Sequence, residues 1–258
     1  MSTPGSGLLE ALGPLRRIAG RGTNAVLDRL GYRLARIRTV DPTSMVAGLQ
    51  RAADRSTRVG TIIDVGASDG RWSDDARRFF PDARCLLVEA NAQHEPGLRA
   101  FKERSPGIDY VIAAAGPEVG EAYFVEAPGD LFGGAAVPPG TPGARVVRST
   151  SLDHEVSARA LPGPYLVKLD THGFEVPILE GATKTLRAAS LLVIEVYNFT
   201  LMEGALRFHE MIVRLEAAGF RPIDLCDPMY RPKDGAFWQC DLFFAPIDRP
   251  EFSSNTYG

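Results

Sequence analysis

At 258 residues, 45% of them hydrophobic and 24% charged, the chain can bury a full core and has the balance of an ordinary soluble globular protein. A formal net charge of −3 supplies no global basic field, so nucleic acid is not expected as a partner. No apolar run nears the roughly 20 residues of a membrane span and none at the N-terminus reads as a secretory signal, which makes a cytoplasmic location the expectation.

Residues 1–58 read as a basic helical extension, distinct from a domain over 59–258. Between Arg16 and Arg38 stand seven arginines and one acid, Asp28. Leu8, Leu12, Leu15 and Ile18, then Val26, Leu27, Leu30 and Leu34, recur at helical spacing. The simplest expectation is an extension packed on the domain with a solvated basic face. The alternative is peripheral contact of that face with an anionic membrane or a partner. A further helix is expected over Pro42–Ala53.

From Val59 onward, strand and helix signals alternate. Strands over Val59–Val65, Arg84–Glu89, Ile108–Ala113, Tyr165–Asp170 and Leu191–Val196 are interleaved with helices over Arg71–Phe80, Ala92–Arg104, Val176–Ala188 and Gly204–Ala218. Glu121–Glu126 alternates as an extra strand or hairpin arm. The pattern predicts an α/β fold of βαβ units around a parallel sheet. Phe220–Leu225 and Phe237–Ala245 lack a long helix between them and should pair antiparallel at the edge, turning over Asp227–Gly235. Ala127–Ala144 holds five glycines and four prolines in 18 positions, which predicts an irregular loop. Its place after the third strand suggests a lid over a ligand crevice. Cys85, Cys226 and Cys240 form no CxxC pair and read as reduced, mostly buried thiols.

The densest signal is Thr61-Ile-Ile-Asp-Val-Gly-Ala-Ser-Asp-Gly70, an apolar strand ending in a glycine loop before a helix. Gly66 allows a tight turn and Gly70 a close approach of the next helix. A pyrophosphate-binding loop would want G-x-G-x-x-G. Here Ser68 replaces a glycine and Asp64 precedes the first one, and an acid there would repel a pyrophosphate. It suits a cationic cofactor carrying an amino group and a sulfonium. Glu89 closes the next apolar strand 23 residues after Gly66, where it can accept hydrogen bonds from both hydroxyls of a ribose. Together these residues follow the S-adenosylmethionine pattern rather than that of a nicotinamide dinucleotide.

Two further strands, Leu166–Asp170 and Leu191–Glu195, end in acids that should meet at the carboxyl edge of the sheet. They could hold a divalent cation, perhaps with Asn198, and so lower the pKa of an acceptor hydroxyl. Or they could orient a base and bind substrate hydroxyls directly. An imidazole, whose reference pKa is about 6.5, is suited to taking a proton from a hydroxyl, and His172 is placed to supply one. Its plainer role would be to open the following helix and bond a carbonyl, and Glu175 suits the first turn of that helix. Trp72 and Tyr197 could stack on an adenine or a sugar, or simply pack. His94, His154 and His209 lack metal-ligand spacing and read as surface or structural residues, with His154 in a helix cap.

Thr61–Gly70, Leu87–Asn91, Ser151–Asp153, Lys168–Gly181 and Val193–Val196 resemble the successive motifs of the FkbM family of S-adenosylmethionine-dependent methyltransferases. The most distinctive segment is Lys-Leu-Asp-Thr-His-Gly-Phe-Glu-Val-Pro-Ile-Leu-Glu-Gly-Ala, and the resemblance runs over residues 59–245. It implies a class I methyltransferase, Rossmann-like fold: a seven-stranded, mostly parallel sheet with one antiparallel edge strand. It also implies O-methylation of a small-molecule or glycan acceptor, often a sugar hydroxyl or a polyketide-type natural product. The cofactor residues it implies are Asp64, Gly66, Ala67, Ser68, Gly70, Glu89 and Asn91, with the methionine end reaching towards Asp170. Members commonly carry Glu at the position of His172, so the base does not carry over. By analogy with catechol-type enzymes, Asp170 and Glu195 would hold magnesium. The catalytic expectation is therefore His172, Asp170 and Glu195. Two rivals are a nicotinamide-dependent oxidoreductase and a non-catalytic scaffold that binds a partner or membrane through the basic N-terminus. A homo-oligomer is compatible with the sequence, which does not specify one.

Overall fold

A strand covered on both faces needs apolar side chains in succession. β1 (Thr61–Val65) and β8 (Tyr165–Leu169) are buried at every position, and β9 (Ala189–Tyr197) at all but one. With β2 (Arg84–Glu89), β3 (Ile108–Ile112), β10 (Phe220–Tyr230) and β11 (Phe237–Pro246) they form one seven-stranded sheet, ordered β10-β11-β9-β8-β1-β2-β3. The structure is a computed structural model that describes residues 41–127 and 129–257. The basic, leucine-spaced segment between Leu8 and Arg38 lies outside the described residues. No helix among the described residues is long and apolar enough to cross a membrane.

β1 pairs in parallel with both β2 and β8, and β8 in parallel with β9. Chain order reverses between β1 and β8, which makes their carboxyl ends the topological switch point of the sheet, where ligands enter open α/β folds. The fold is thus the expected Rossmann-like sheet. The last two strands pair antiparallel at the edge, but the one antiparallel member is β11, lying between β10 and β9 and antiparallel to both. Strand β10, not β11, is outermost. It also runs past the expected Leu225 as far as Tyr230.

Two apolar layers sandwich the sheet. On one face Ile62, Leu87, Leu166 and Val193 pack with Leu49 of α1 (Met45–Asp54), Ala76 of α2 (Arg71–Arg77) and Phe101 of α3 (Glu95–Arg104). On the other, Ile63, Val167 and Ile194 pack with Leu152 of α4 (Leu152–Ala158), Ile178 of α5 (Glu175–Glu180) and Met211 of α7 (Phe208–Ala217). Pro42–Gly258 form one compact unit, with α1 inside it. Ser44 caps α1 by accepting from the Ala47 N–H, and Arg51 and Arg55 of its last turns both reach Asp224 of β10. The helix expected over 176–188 is two: α5, then α6 (Thr183–Arg187), whose first amides donate to Asp153 (Lys184 N–H 2.9 Å, Thr185 N–H 2.8 Å). All three cysteines are free and buried.

A second, four-stranded sheet, ordered β4-β7-β5-β6, sits between β3 and α4 in the chain. Its strands are β4 (Ala114–Ala115), β5 (Gly120–Ala127), β6 (Asp130–Val137) and β7 (Arg145–Thr150). The first half of the stretch expected to be irregular is therefore a regular strand, β6, paired antiparallel with β5. The reason is cross-strand packing. The buried Phe124 ring lies over Gly134, where an added Cβ would stand 2.5 Å from the ring's Cζ. A glycine that an aromatic neighbour covers is compatible with a strand.

Candidate active site

The crevice begins at the glycine loop. Gly66 takes φ +74°, and a Cβ there would stand 2.0 Å from the Asp170 carbonyl oxygen, so the loops after β1 and β8 touch backbone to backbone. Gly66 and Ala67 N–H donate to Val88 O, which pins the loop to β2. Ser68 and His172, both expected in the site, hold positive φ (52° and 55°) although neither is glycine. Such strain persists only where the surroundings over-determine it, and it collects at functional sites.

Between this loop and the β5–β6 hairpin lies a cavity of about 230 Å³. Glu89, Asn91, Asp170, His172 and Glu195 line it, together with Gly66 and Ser68, while Phe124 and Gly134 of the hairpin form its roof. Glu89 is buried and uses one carboxylate oxygen for the Ser68 N–H (2.7 Å) and the other for the Asn91 N–H (2.7 Å). Burial pushes its pKa up, against the pull of those two donors. An ionised carboxylate offers about four lone-pair sites, so roughly half remain for a ligand's hydroxyls.

His94, expected to be a surface or structural residue, is buried in the cavity wall. Its Nε2 lies 3.1 Å from Leu131 O and its Nδ1 3.4 Å from Ser68 Oγ. A carbonyl can only accept, so in the neutral ring the proton sits on Nε2. His172 obeys the same rule with the opposite nitrogen: Nδ1 lies 3.2 Å from Gly134 O and carries the proton. Nε2, without a proton when the ring is neutral, faces the crevice, 3.6 Å from Asp170 Oδ1 and 3.9 Å from Glu195 Oε2. Two histidines thus tie β6 over the crevice. His154 lies in the expected helix cap, its N–H donating to Ser151 Oγ, and His209 packs edge-on to Phe208.

Asp170, His172 and Glu195 offer donor atoms within 4.8 Å of one another. Burial, then the Asp170 charge, pushes Glu195 up to about 9, so it holds a proton near neutrality. Tyr197 O–H and Gln239 Nε2 both donate to it. Tyr197 lines neither this cavity nor its neighbour across the glycine loop, and its ring packs edge-on to Trp238. Burial works against the charge on Asp170, yet the Lys168 ammonium 2.9 Å away holds its carboxyl below the usual range. His172, Asp170 and Glu195, the residues expected from sequence to meet, do converge.

Asp64 and Gly70 do not face the crevice. The Asp64 side chain has no exposed surface: Oδ2 accepts from Ser73 Oγ (2.8 Å), and Oδ1 has no hydrogen-bond partner and lies 3.7 Å from Lys168 Nζ. Asp64 sits inside β1 under its helix cover, and Gly70 packs beneath Phe101. A second cavity of about 340 Å³ lies across the loop, sharing Gly66, Ser68 and Asp170 with the first and lined also by Ala67, Trp72, Lys168 and Asp241. Lys168 is the partner that the sequence offered Asp170 or Glu195 in their plainer role, and Asp241 is not among the expected site residues. Burial pushes Asp241 up to about 7, helped by Asp170 and Asp227. Burial lowers the Lys168 pKa less than Asp170 and Asp64 raise it. The one available signal for Asp241 was a lone charge inside an apolar strand. Acids outnumber bases around both cavities, a donor set that fits a cationic ligand and opposes a pyrophosphate.

A family model for the methyltransferase FkbM domain matches residues 64–222. No curated protein matches. Among solved structures, methyltransferase FkbM from Methylobacillus flagellatus KT is similar at 15% identity and a TM-score of 0.48, over 72% of this chain and 43% of that one. Precorrin-6y C5,15-methyltransferase from Geobacter metallireducens GS-15 is similar at 12% identity and a TM-score of 0.43, over 82% and 93%. A candidate tRNA (m1A22) methyltransferase from Streptococcus pneumoniae, solved with S-adenosyl-L-methionine, is similar at 11% identity and a TM-score of 0.45, over 78% and 72%. The chain spans less than half the length of the first of these.

Proposed function

Because the chain belongs to the methyltransferase FkbM family, we propose that it is an S-adenosylmethionine-dependent O-methyltransferase acting on a hydroxyl of a sugar or glycosylated natural-product metabolite. The observation that carries this reading is the His172 ring, fixed by Gly134 O with its Nε2 directed between Asp170 and Glu195. An imidazole nitrogen at the switch point of an acid-rich crevice, when unprotonated, suits a hydroxyl acceptor that must lose a proton.

Bound adenosylmethionine would supply an electrophilic methyl group on a sulfonium. The lone pairs left on Glu89 would accept the ribose hydroxyls, and Asn91 would border them. Gly66, Ala67 and Ser68 offer backbone close to the ligand, while ionised Asp170 favours its positive end. Asp64 contributes from beneath, through Lys168 and Ser73. His172 Nε2 takes the acceptor's proton as the new bond forms, a role worth about 10²–10⁴-fold in rate. Protonated Glu195 can donate a hydrogen bond to the acceptor, which a second carboxylate could not do. The β5–β6 roof keeps water from the reacting centre.

One observation favours a second reading of the activation step. The close donor set of Asp170 and Glu195, joined by His172, could hold magnesium or another divalent cation. His172 would then be a ligand, and the metal would acidify the acceptor hydroxyl.

Calorimetric titration with adenosylmethionine, with and without magnesium, tests both. Micromolar binding that Glu89→Ala abolishes supports the cofactor; binding of NAD in its place would overturn the reading, and no binding of either would favour a scaffold. Methyl incorporation into a panel of sugar nucleotides and glycosides then tests the acceptor. Loss of turnover on chelation, restored by one cation, would transfer the activation step to the metal.

A further inference from the structure

Lys168 stands in a strand buried at every position, with 5% of its surface exposed. A charge so placed is costly unless paired and hydrogen-bonded. Asp64, on the neighbouring strand at the same register, would suffice as a counterion. The ammonium nevertheless spends its shorter contact on Asp170 (2.9 Å) and leaves Asp64 at 3.7 Å with an oxygen that no donor reaches. The Trp72 ring, 5.4 Å away, bounds it on another side. A pair built only for neutrality would give its best geometry to the most deeply buried acid. Here the best geometry goes to the acid that lines the crevice.

We propose that Lys168 is a positioning residue: it joins the glycine loop to the loop after β8 and fixes Asp170 with Oδ2 held inward and Oδ1 presented to His172 and Glu195. The contacts support this from both ends. Asp64 opens the segment that leads into Gly66, and Gly66 has no room for a side chain against the Asp170 carbonyl. One ammonium therefore clamps the two segments whose backbones already touch. It holds the carboxylate that would meet the cofactor's charge and leaves that carboxylate's other oxygen to the reacting end. The role rests on the methyl-transfer reading of this crevice for its consequence, though not for its geometry.

Lys168→Met alone would leave Asp64, Asp170 and Asp241 without their shared counterion and endanger the fold. Lys168→Met combined with Asp64→Asn removes one charge of each sign and keeps the balance. The full chain and this double variant are compared by thermal unfolding, by calorimetry with adenosylmethionine and by crystallography. The expected result is an unfolding midpoint within a few degrees of the parent, at least tenfold weaker binding, and an Asp170 carboxylate turned away from His172. An Asp170 that keeps its place in the double variant overturns the proposal whatever the affinity, because Lys168 then only balances charge. If the parent chain itself fails to bind adenosylmethionine, the methyl-transfer reading falls, and the position of Asp170 in the variant crystal decides this proposal alone.

Discussion

The loop Asp64–Gly70 and the strand β6 are both glycine-bearing and both wall the same cavity, but they are held in opposite ways. The loop is the floor. Two of its amides bond β2, a third bonds Glu89, and Gly66 lies against the backbone after β8. The strand is the roof. Among the described residues it pairs with β5, and His94 and His172 each bond one of its carbonyls. The floor is rigid because its contacts are backbone to backbone with central strands. The roof depends on side chains that could let go. Glycine does different work in each: in the floor it permits contact with another backbone, and in the roof it makes room for Phe124.

The comparison breaks most visibly at Gly66. Gly66→Ala sets a Cβ at 2.0 Å from a backbone oxygen, at φ +74°, and neither can yield cheaply. A loss of about 3 kcal/mol or more is expected by chemical denaturation, with adenosylmethionine binding abolished. Gly140→Ala, beyond the end of β6 at φ +83° with nothing within 4 Å, should cost about 1 kcal/mol from backbone strain alone. Equal costs would mean that the floor is no better fixed than an exposed turn. Next in size is Glu89→Gln. The amide turns a donor towards one of the two backbone N–H groups that the carboxylate now satisfies, and leaves it unpaired at a cost of about 1–3 kcal/mol. Adenosylmethionine affinity should fall at least tenfold by calorimetry.

That floor was largely legible in the sequence and the roof was not, for a physical reason. β1, β2, β8 and β9 announce themselves as apolar runs, and the acids at their carboxyl ends land together because strand order puts them there. Glu89, Asp170, His172 and Glu195 were read correctly as neighbours of one crevice. Which face a residue presents was harder. Asp64 precedes the glycine like a cofactor ligand, but it is a fully buried strand residue whose charge is met by Lys168. Lys168 can be paired from sequence with an acid at a strand end, but Asp241 appears as one charge within an apolar run, and only the assembled sheet brings it beside that group. β6 was hidden because its glycines are stabilised by Phe124, a residue on another strand. His94 was hidden likewise, since its partner is Leu131 O, reached only when the hairpin folds back.

Asp241→Asn sharpens the comparison through pH, since the acid excess belongs to the floor. Burial, with Asp170 and Asp227 nearby, raises Asp241 from 3.8 to about 7. The folded chain therefore holds a proton that the unfolded chain has released above pH 4, and the contribution of this group to native stability declines as pH rises from there through 7. Asn is neutral throughout. The variant should exceed the parent by about 2 kcal/mol at pH 8, with partial exposure allowed for, and the gap should close steadily towards pH 4. Thermal unfolding across pH 4–8 measures it. A gap that stayed constant with pH would mean that the Asp241 carboxyl is not the group whose burial sets the difference.

The smallest effect tests the roof itself. His94→Phe keeps an aromatic ring in the wall but removes the N–H that Leu131 O accepts and the acceptor beside Ser68 Oγ. One neutral hydrogen bond contributes about 0.5–1.5 kcal/mol, which corresponds to a several-fold change in an opening equilibrium. Amide hydrogen exchange over residues 130–137 should quicken by that factor, while the amides of Gly66, Ala67 and Ser68 keep their protection. The global unfolding free energy should barely move, because β6 adds little to either apolar layer of the main sheet. If the floor amides quickened in step with the roof, the two walls would open as one unit and the histidines would be ordinary packing. If only the roof responded, access to the cavity would be governed by imidazole contacts, one of them made by the same His172 whose other nitrogen faces the crevice. Raising the roof would then free that ring's orientation, and closing it would fix it.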